Sequence, residues 1–228
     1  MSLAENLAAV RARVAAAEAR AGRQPGSVLL VAVSKTKTAE AVRAAAAAGQ
    51  VHFGENYAQE LRDKLVAVPD PGLRWHFIGH LQKNKVKYVA GKVFEIHAVD
   101  DAELAAEIGR RAVALRVRQR VLLEVNVGGE DQKSGAPPEA AAVLARAALA
   151  TPGVELVGLM TMPPLFDDPE QTRPFYRRLR ELRDEIRREL GDPAALPELS
   201  MGLSHDFEVA ILEGATRVRV GTAIFGER

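Results

Sequence analysis

Strands alternating with helices along the chain predict an α/β fold, a single (β/α)8 barrel of the TIM type with an extra N-terminal helix. Three observations carry this expectation. There are about eight short apolar runs of strand character, and helical patterns lie between most of them. The length of 228 residues suits one large domain, 1–228, better than two. An open doubly wound sheet is the alternative, but it usually needs fewer strands and often a glycine-rich first turn. Neither a G-x-G-x-x-G nor a Walker A sequence is present.

The elements follow in order. Leu3, Leu7, Val10 and Val14 recur at helical spacing, so the chain opens with an amphipathic helix ending near Gly22. Val28-Leu-Leu-Val-Ala-Val33 reads as a buried strand, and 38–48 as a helix with Thr38 at its N-cap and Gly49 beyond its end. Further strands are expected at 51–53, 75–78, 95–98, 121–127, 155–159, 198–201 and 217–220. The intervening helices are expected at 56–67, 101–115, 137–149, 171–190 and 205–212. Ala136-Pro-Pro138 and Met162-Pro-Pro164 are too short for linkers and read as loops inside βα units. The stretch 173–188 mixes Glu with Arg on a helix, which describes a solvated face rather than a nucleic-acid patch.

Composition narrows the function classes. Lys plus Arg (31) nearly balances Asp plus Glu (30), so no global field advertises nucleic acid or an acidic membrane as partner. The absence of cysteine excludes disulfides, thiolate catalysis and cysteine-ligated metal. The first twenty residues lack the apolar block of a signal peptide, and no later run is long and apolar enough to span a bilayer; a soluble, cytoplasmic protein is expected.

Ligands of parallel barrels sit at the carboxyl ends of the strands, and there the sequence collects polar and small residues. The first strand ends in Ser34-Lys35-Thr36, the second in Gly54-Glu55-Asn56 and the third in Gly79-His80. The fifth carries Glu124 and Asn126, the sixth leads into Met160-Thr161-Met162, the seventh into Ser200-Met-Gly-Leu-Ser204-His205, and the eighth into Arg219-Val-Gly221-Thr222. Burial lowers a lysine pKa, so Lys35 at a barrel mouth suits attack on a carbonyl carbon; alternatively it snorkels to solvent or pairs with Glu55 or Glu124. Gly221-Thr222 and Ser204 lie after the last two strands, where barrels frequently hold phosphate; alternatively Ser204 is an N-cap. Arg219 shares a strand face with Arg217 and Gly221, and is aimed either at Glu124 or at a ligand. His52, His76 and His97 read as core or rim residues, while His80 and His205 fall in site loops. No spacing points to a metal.

These residues belong to longer motifs. Val31-Ala-Val-Ser-Lys-Thr36, His52-Phe-Gly-Glu-Asn-Tyr57, His76-Phe-Ile-Gly-His-Leu-Gln-Lys-Asn-Lys85, Gly158-Leu-Met-Thr-Met162, Leu199-Ser-Met-Gly202 and Val218-Arg-Val-Gly-Thr-Ala-Ile-Phe-Gly226 resemble, in order and along essentially the whole chain, the pyridoxal 5′-phosphate (PLP) homeostasis protein family. The loop from Ser200 departs from the usual pattern at Leu203 and His205. The resemblance implies a barrel similar to the N-terminal domain of alanine racemase, with PLP as a Schiff base on Lys35. It implies phosphate contacts from Ser204, Gly221 and Thr222, Arg219 facing the pyridine nitrogen, and Asn56, Met160 and Ser200 around the cofactor.

An arginine at the ring nitrogen disfavours the protonated pyridinium on which most PLP chemistry relies. A racemase also needs proton-transfer groups on both faces of the substrate carbon. In alanine racemase the group opposite the lysine comes from a second domain, and this sequence ends about where that domain starts. The expectation is therefore a monomeric PLP carrier or buffer that hands cofactor to PLP-dependent apoenzymes without rapid amino-acid turnover. A low-activity PLP-dependent racemase or lyase, with Tyr57 or His205 as the second group, is the alternative. A phosphosugar aldolase and a non-catalytic docking module are the remaining readings.

Overall fold

The computed structural model describes residues 2–130 and 132–227. Eight parallel strands close into a barrel in sequence order, β1 pairing with β8. They are β1 (Leu29–Val33), β2 (His52–Glu55), β3 (Arg74–Phe77), β4 (Glu95–Val99), β5 (Gln119–Glu124), β6 (Val154–Met160), β7 (Glu198–Ser200) and β8 (Arg217–Val220). Around them lie α1 (Leu3–Arg20), α2 (Ala39–Ala47), α3 (Ala58–Ala67), α4 (Ala102–Ala114), α5 (Ala141–Ala150), α6 (Arg173–Leu190), α7 (Phe207–Leu212) and α8 (Thr222–Phe225).

Local chemistry accounts for the boundaries. The Thr38 hydroxyl accepts the Ala41 N–H, as an N-cap should, and Asp101 caps α4 through the Leu104 N–H. The helix α1 begins with a Ser2/Glu5 capping box. It is anchored to the strand that follows by Glu18, whose carboxylate accepts the backbone N–H groups of Gly26 and Val28 at 3.0 and 2.7 Å.

One reading of the sequence changes, and two elements are new. Between β3 and β4 the chain forms only a 3₁₀ segment, Lys83–Tyr88. The helix after β7 starts at Phe207, beyond Ser204, so Ser204 is not its N-cap. The last strand leads into the short helix α8, which the sequence patterns did not announce.

The main apolar cluster lies between the strands and the surrounding helices, drawing on every major helix. The barrel interior differs. A small separate cluster, Leu122, Val157 and Met160, fills part of it. Much of the rest is polar: Glu95 on β4 receives two hydrogen bonds from Arg217 on β8, and His97 on β4 meets Ser200 on β7. Such pairs, far apart in strand order, can meet only across the lumen of a closed barrel. Among the described residues, no helix is long and apolar enough to cross a membrane.

Candidate functional site

A cavity of about 340 Å³ opens at the carboxyl end of the barrel, lined by Lys35, Asn56, Ser204, Arg219, Gly221 and Thr222 among others. Six of the eight residues singled out in the sequence therefore share one space. Met160 and Ser200 lie beneath it, both fully buried. The volume sits at the small end of ligand pockets, the size for one ring with its substituents.

Lys35 leaves the end of β1 between two fixed neighbours. The Ser34 hydroxyl donates to Glu55 Oε1 at 2.6 Å and its carbonyl accepts from Lys64 Nζ at 2.6 Å. On the other side Thr36 takes a left-handed backbone, φ 63°, and its N–H donates to Glu60 Oε1. A non-glycine residue with positive φ beside a candidate nucleophile is strain held in place by its surroundings. Glu55, one of the sequence's proposed partners for Lys35, is held by the buried Lys64 at 2.7 Å. Burial pushes the Glu55 carboxyl up, while Lys64 and Ser34 pull it back.

Beside the end of β1, on the neighbouring strands, the Ser204 hydroxyl accepts the Gly221 N–H at 3.0 Å, drawing the loops after β7 and β8 together. The turn bearing Ser204 is pinned from below by Asp206. Its Oδ1 accepts the Leu203 N–H at 2.7 Å, and its Oδ2 accepts the Tyr176 hydroxyl at 2.8 Å. The sequence assigns Asp206 no role, because its contact with Tyr176 joins segments far apart in the chain. The last turn is tied back to β1 by Lys37, whose ammonium donates to the carbonyls of Phe225, Gly226 and Glu227.

Arg219 forms the floor. It is 2% exposed, and its Nη1 donates to Ser200 Oγ at 2.6 Å and its Nη2 to the Thr161 carbonyl at 2.9 Å. No ion pair with Glu124 forms among the described residues. Burial lowers the Arg219 pKa, and Tyr176, Glu124 and Asp206 oppose that fall. Glu124 is itself pushed up to about 7 by burial and by the charge of Asp100.

Below Arg219, His76, Glu95 and His97 lie close enough together to hold a metal ion. Against that, Arg217 donates to both Glu95 oxygens and Arg120 adds a second guanidinium at 3.0 Å. A divalent cation would sit against two fixed positive charges, which makes the cluster a poor metal centre.

The cavity fits PLP in its chemistry. It has a lysine at one wall, a hydroxyl and a glycine-flanked turn at the phosphate position of barrels, and a buried cation on the floor. Asn56 Oδ1 is buried without a hydrogen-bond partner among the described residues, so its amide is uncommitted and can turn to a ligand.

Residues 6–228 match the model of the alanine racemase N-terminal domain. The pyridoxal phosphate homeostasis protein of Aquifex aeolicus is 50% identical over 228 residues, covering 100% of this chain and 99% of that protein. The chain belongs to the pyridoxal phosphate homeostasis protein family. PipY from Synechococcus elongatus, solved with PLP bound, is 35% identical, covers 99% of this chain and 100% of its own, and superposes with a TM-score of 0.85. The alanine racemase of Corynebacterium glutamicum, at 19% identity, shares the fold with a TM-score of 0.70 over 97% of this chain and 62% of the racemase.

Proposed function

We propose that this protein binds PLP at the carboxyl face of its barrel, as a Schiff base on Lys35, and serves PLP homeostasis as a carrier or buffer. The observation that carries the reading is the convergence of Lys35, Arg219, Ser204 and the Gly221-Thr222 turn on one cavity. Bound there, PLP would supply an electrophilic aldehyde carbon and an electron-withdrawing ring. The protein's own residues do the rest. Lys35 supplies the amine, Ser204, Gly221 and Thr222 face the phosphate, and Asn56 lies beside the ring with an amide that can donate to the cofactor's 3-oxygen. Arg219 faces the ring nitrogen and disfavours its protonation, which weakens the ring as an electron sink. Met160 and Ser200 support the floor. PLP-dependent apoenzymes are the recipients in this reading, which takes the protein as monomeric and cytoplasmic.

The test is a visible spectrum after PLP addition, followed by borohydride and peptide mapping. The parent should gain a band near the violet edge and carry the label on the Lys35 peptide, while Lys35→Ala should show neither. If both proteins lack the band, the reading fails and aldolase chemistry takes its place.

A second reading has one observation in its favour: His205 also lines the cavity and offers a second proton-transfer group. A slow racemase or lyase would then exchange the α-proton of amino acids for solvent deuterium. Loss of that exchange in His205→Asn, with the visible band intact, would support it. No exchange in the parent would sink it.

A further inference from the structure

The buried polar residues under the cavity do more than fill the barrel. Arg219 Nη1 donates to Ser200 Oγ at 2.6 Å, and Ser200 Oγ lies 2.9 Å from His97 Nδ1. His97 Nε2 is 3.0 Å from His76 Nδ1, and His76 Nε2 is 2.9 Å from His52 Nδ1. Four consecutive contacts thus link the floor of the cavity to the start of β2, near the amino-terminal end of the barrel. Ser200, His76 and His97 are fully buried.

We infer that Ser200, His97 and His76 are positioning residues for Arg219, joined in a hydrogen-bond chain that runs one way and holds the guanidinium on the cavity floor. The inference rests on the PLP reading for its purpose but not for its geometry.

The direction follows from proton counting. A guanidinium only donates, so Ser200 Oγ must accept from Arg219. The serine proton then needs an acceptor, and His97 Nδ1 is in place. A neutral His97 accepting at Nδ1 carries its proton on Nε2, which points to His76 Nδ1. His76 in turn carries its proton on Nε2 and donates to His52 Nδ1. Glu95 Oε2, 3.4 Å from both His97 Nε2 and His76 Nδ1, is a second acceptor for the shared proton. Burial keeps all three imidazoles neutral by pushing their pKa values down, to about 4 for His52 and His76.

The charged groups facing the chain are Glu95, Arg217 and Arg219 around His97, and Glu95, Arg217 and Arg74 around His52. Their signs mix, so no single charge dictates the tautomers; the hydrogen-bond order does. Without this chain Arg219 has an obvious competitor for its charge in the buried Glu124, and a guanidinium drawn there would leave the ring nitrogen.

Two measurements test the inference. The first uses the parent alone. Long-range proton–nitrogen NMR of the ¹⁵N-histidine-labelled, PLP-free protein should find His97 and His76 both protonated on Nε2 at pH 7. A proton on His97 Nδ1 would overturn the direction. One equivalent of bound zinc, displacing those protons, would overturn the chain altogether.

The second compares PLP-loaded variants. Ser200→Ala and His97→Leu should raise the PLP dissociation constant roughly tenfold, the loss expected for one charge-assisted hydrogen bond. Their visible band should also begin to move with pH as the ring nitrogen titrates. His97→Asn, whose side-chain oxygen can accept from Ser200, should restore the band's pH-independence. Unchanged affinity and band in both Ser200→Ala and His97→Leu would overturn the positioning role. If the parent takes up no PLP, the functional reading has failed instead, and the NMR result still decides the chain.

Discussion

Ser204 sits where the loops after β7 and β8 meet, and its hydroxyl accepts the Gly221 N–H. Ser204→Ala removes that tie and, on the proposed reading, a phosphate donor. We expect PLP affinity to fall about tenfold while unfolding free energy changes by less than about 1 kcal/mol, measured by spectral titration and urea denaturation. Gly202 gives the contrasting case. Its φ is +94°, and a Cβ there would lie 2.6 Å from Ala210 Cβ and 2.9 Å from Phe207 Cα. Gly202→Ala should therefore cost about 2–3 kcal/mol and weaken PLP binding as well, because the strained turn carries Ser204. The same residues show what a sequence can disclose. Lys35, Gly221 and Thr222 were legible because each follows closely on the end of a strand, and a parallel barrel brings its strand ends to one mouth. Ser200 and Met160 were legible as strand-end residues, with a place around the cofactor only through the family motifs, and His76 and His97 read as core or rim residues. What joins them is contact across the lumen between β3, β4, β7 and β8, which no spacing in one chain encodes.

Strands were the most legible elements, since each is a short apolar run between breakers, and β8 falls on its expected residues, 217–220. Helices set by packing rather than by periodicity were not. The 3₁₀ segment Lys83–Tyr88 has only Val86 buried, too little to mark a helical face. The anchoring of α1 was equally hidden, because Glu18 is 2% exposed and serves backbone groups before β1. A charged residue in an Ala- and Arg-rich helix reads as solvated until its partners are seen. Glu18→Ala would leave the Gly26 and Val28 N–H groups without their acceptor. We expect a loss of about 2–4 kcal/mol, read as a lower urea midpoint with an unchanged slope. Glu18→Gln keeps an acceptor oxygen and should recover part of the loss. If Glu18→Ala unfolds at the parent's midpoint, α1 does not depend on this anchor.

The main apolar cluster lies between the strands and the helices, while much of the barrel lumen is polar, and that buried polarity sets the molecule's response to pH. His76 is fully buried and held neutral, with a pKa of about 4 against an ordinary 6.5, by burial and by the nearby His97 and Arg217, which outweigh Glu95. The unfolded chain therefore takes up a proton below pH 6.5 that the folded chain refuses, and stability falls as pH drops toward 4. The slope is about 1.4 kcal/mol per pH unit for such a histidine. Glu124 acts in the opposite sense. Burial and the charge of Asp100 raise it to about 7 against the opposing Arg219, so the folded state keeps a proton that the unfolded state has lost above pH 4.5. Its contribution to stability is present below pH 4.5 and lost as pH rises through 7. Glu95 does not enter this window. Burial opposes its ionisation, but contacts with His76, His97 and Arg217 outweigh that and keep the carboxylate ionised throughout. Urea unfolding of the parent, His76→Gln and Glu124→Gln at pH 5 and pH 8 separates the two groups. Each substitution has a fixed structural cost, so only the change of its offset with pH is read. Relative to the parent, His76→Gln should fare better at pH 5 than at pH 8, and Glu124→Gln better at pH 8 than at pH 5. Offsets that stay constant across that range would show that neither group titrates differently on folding, and that the polar lumen is not the source of the protein's pH dependence.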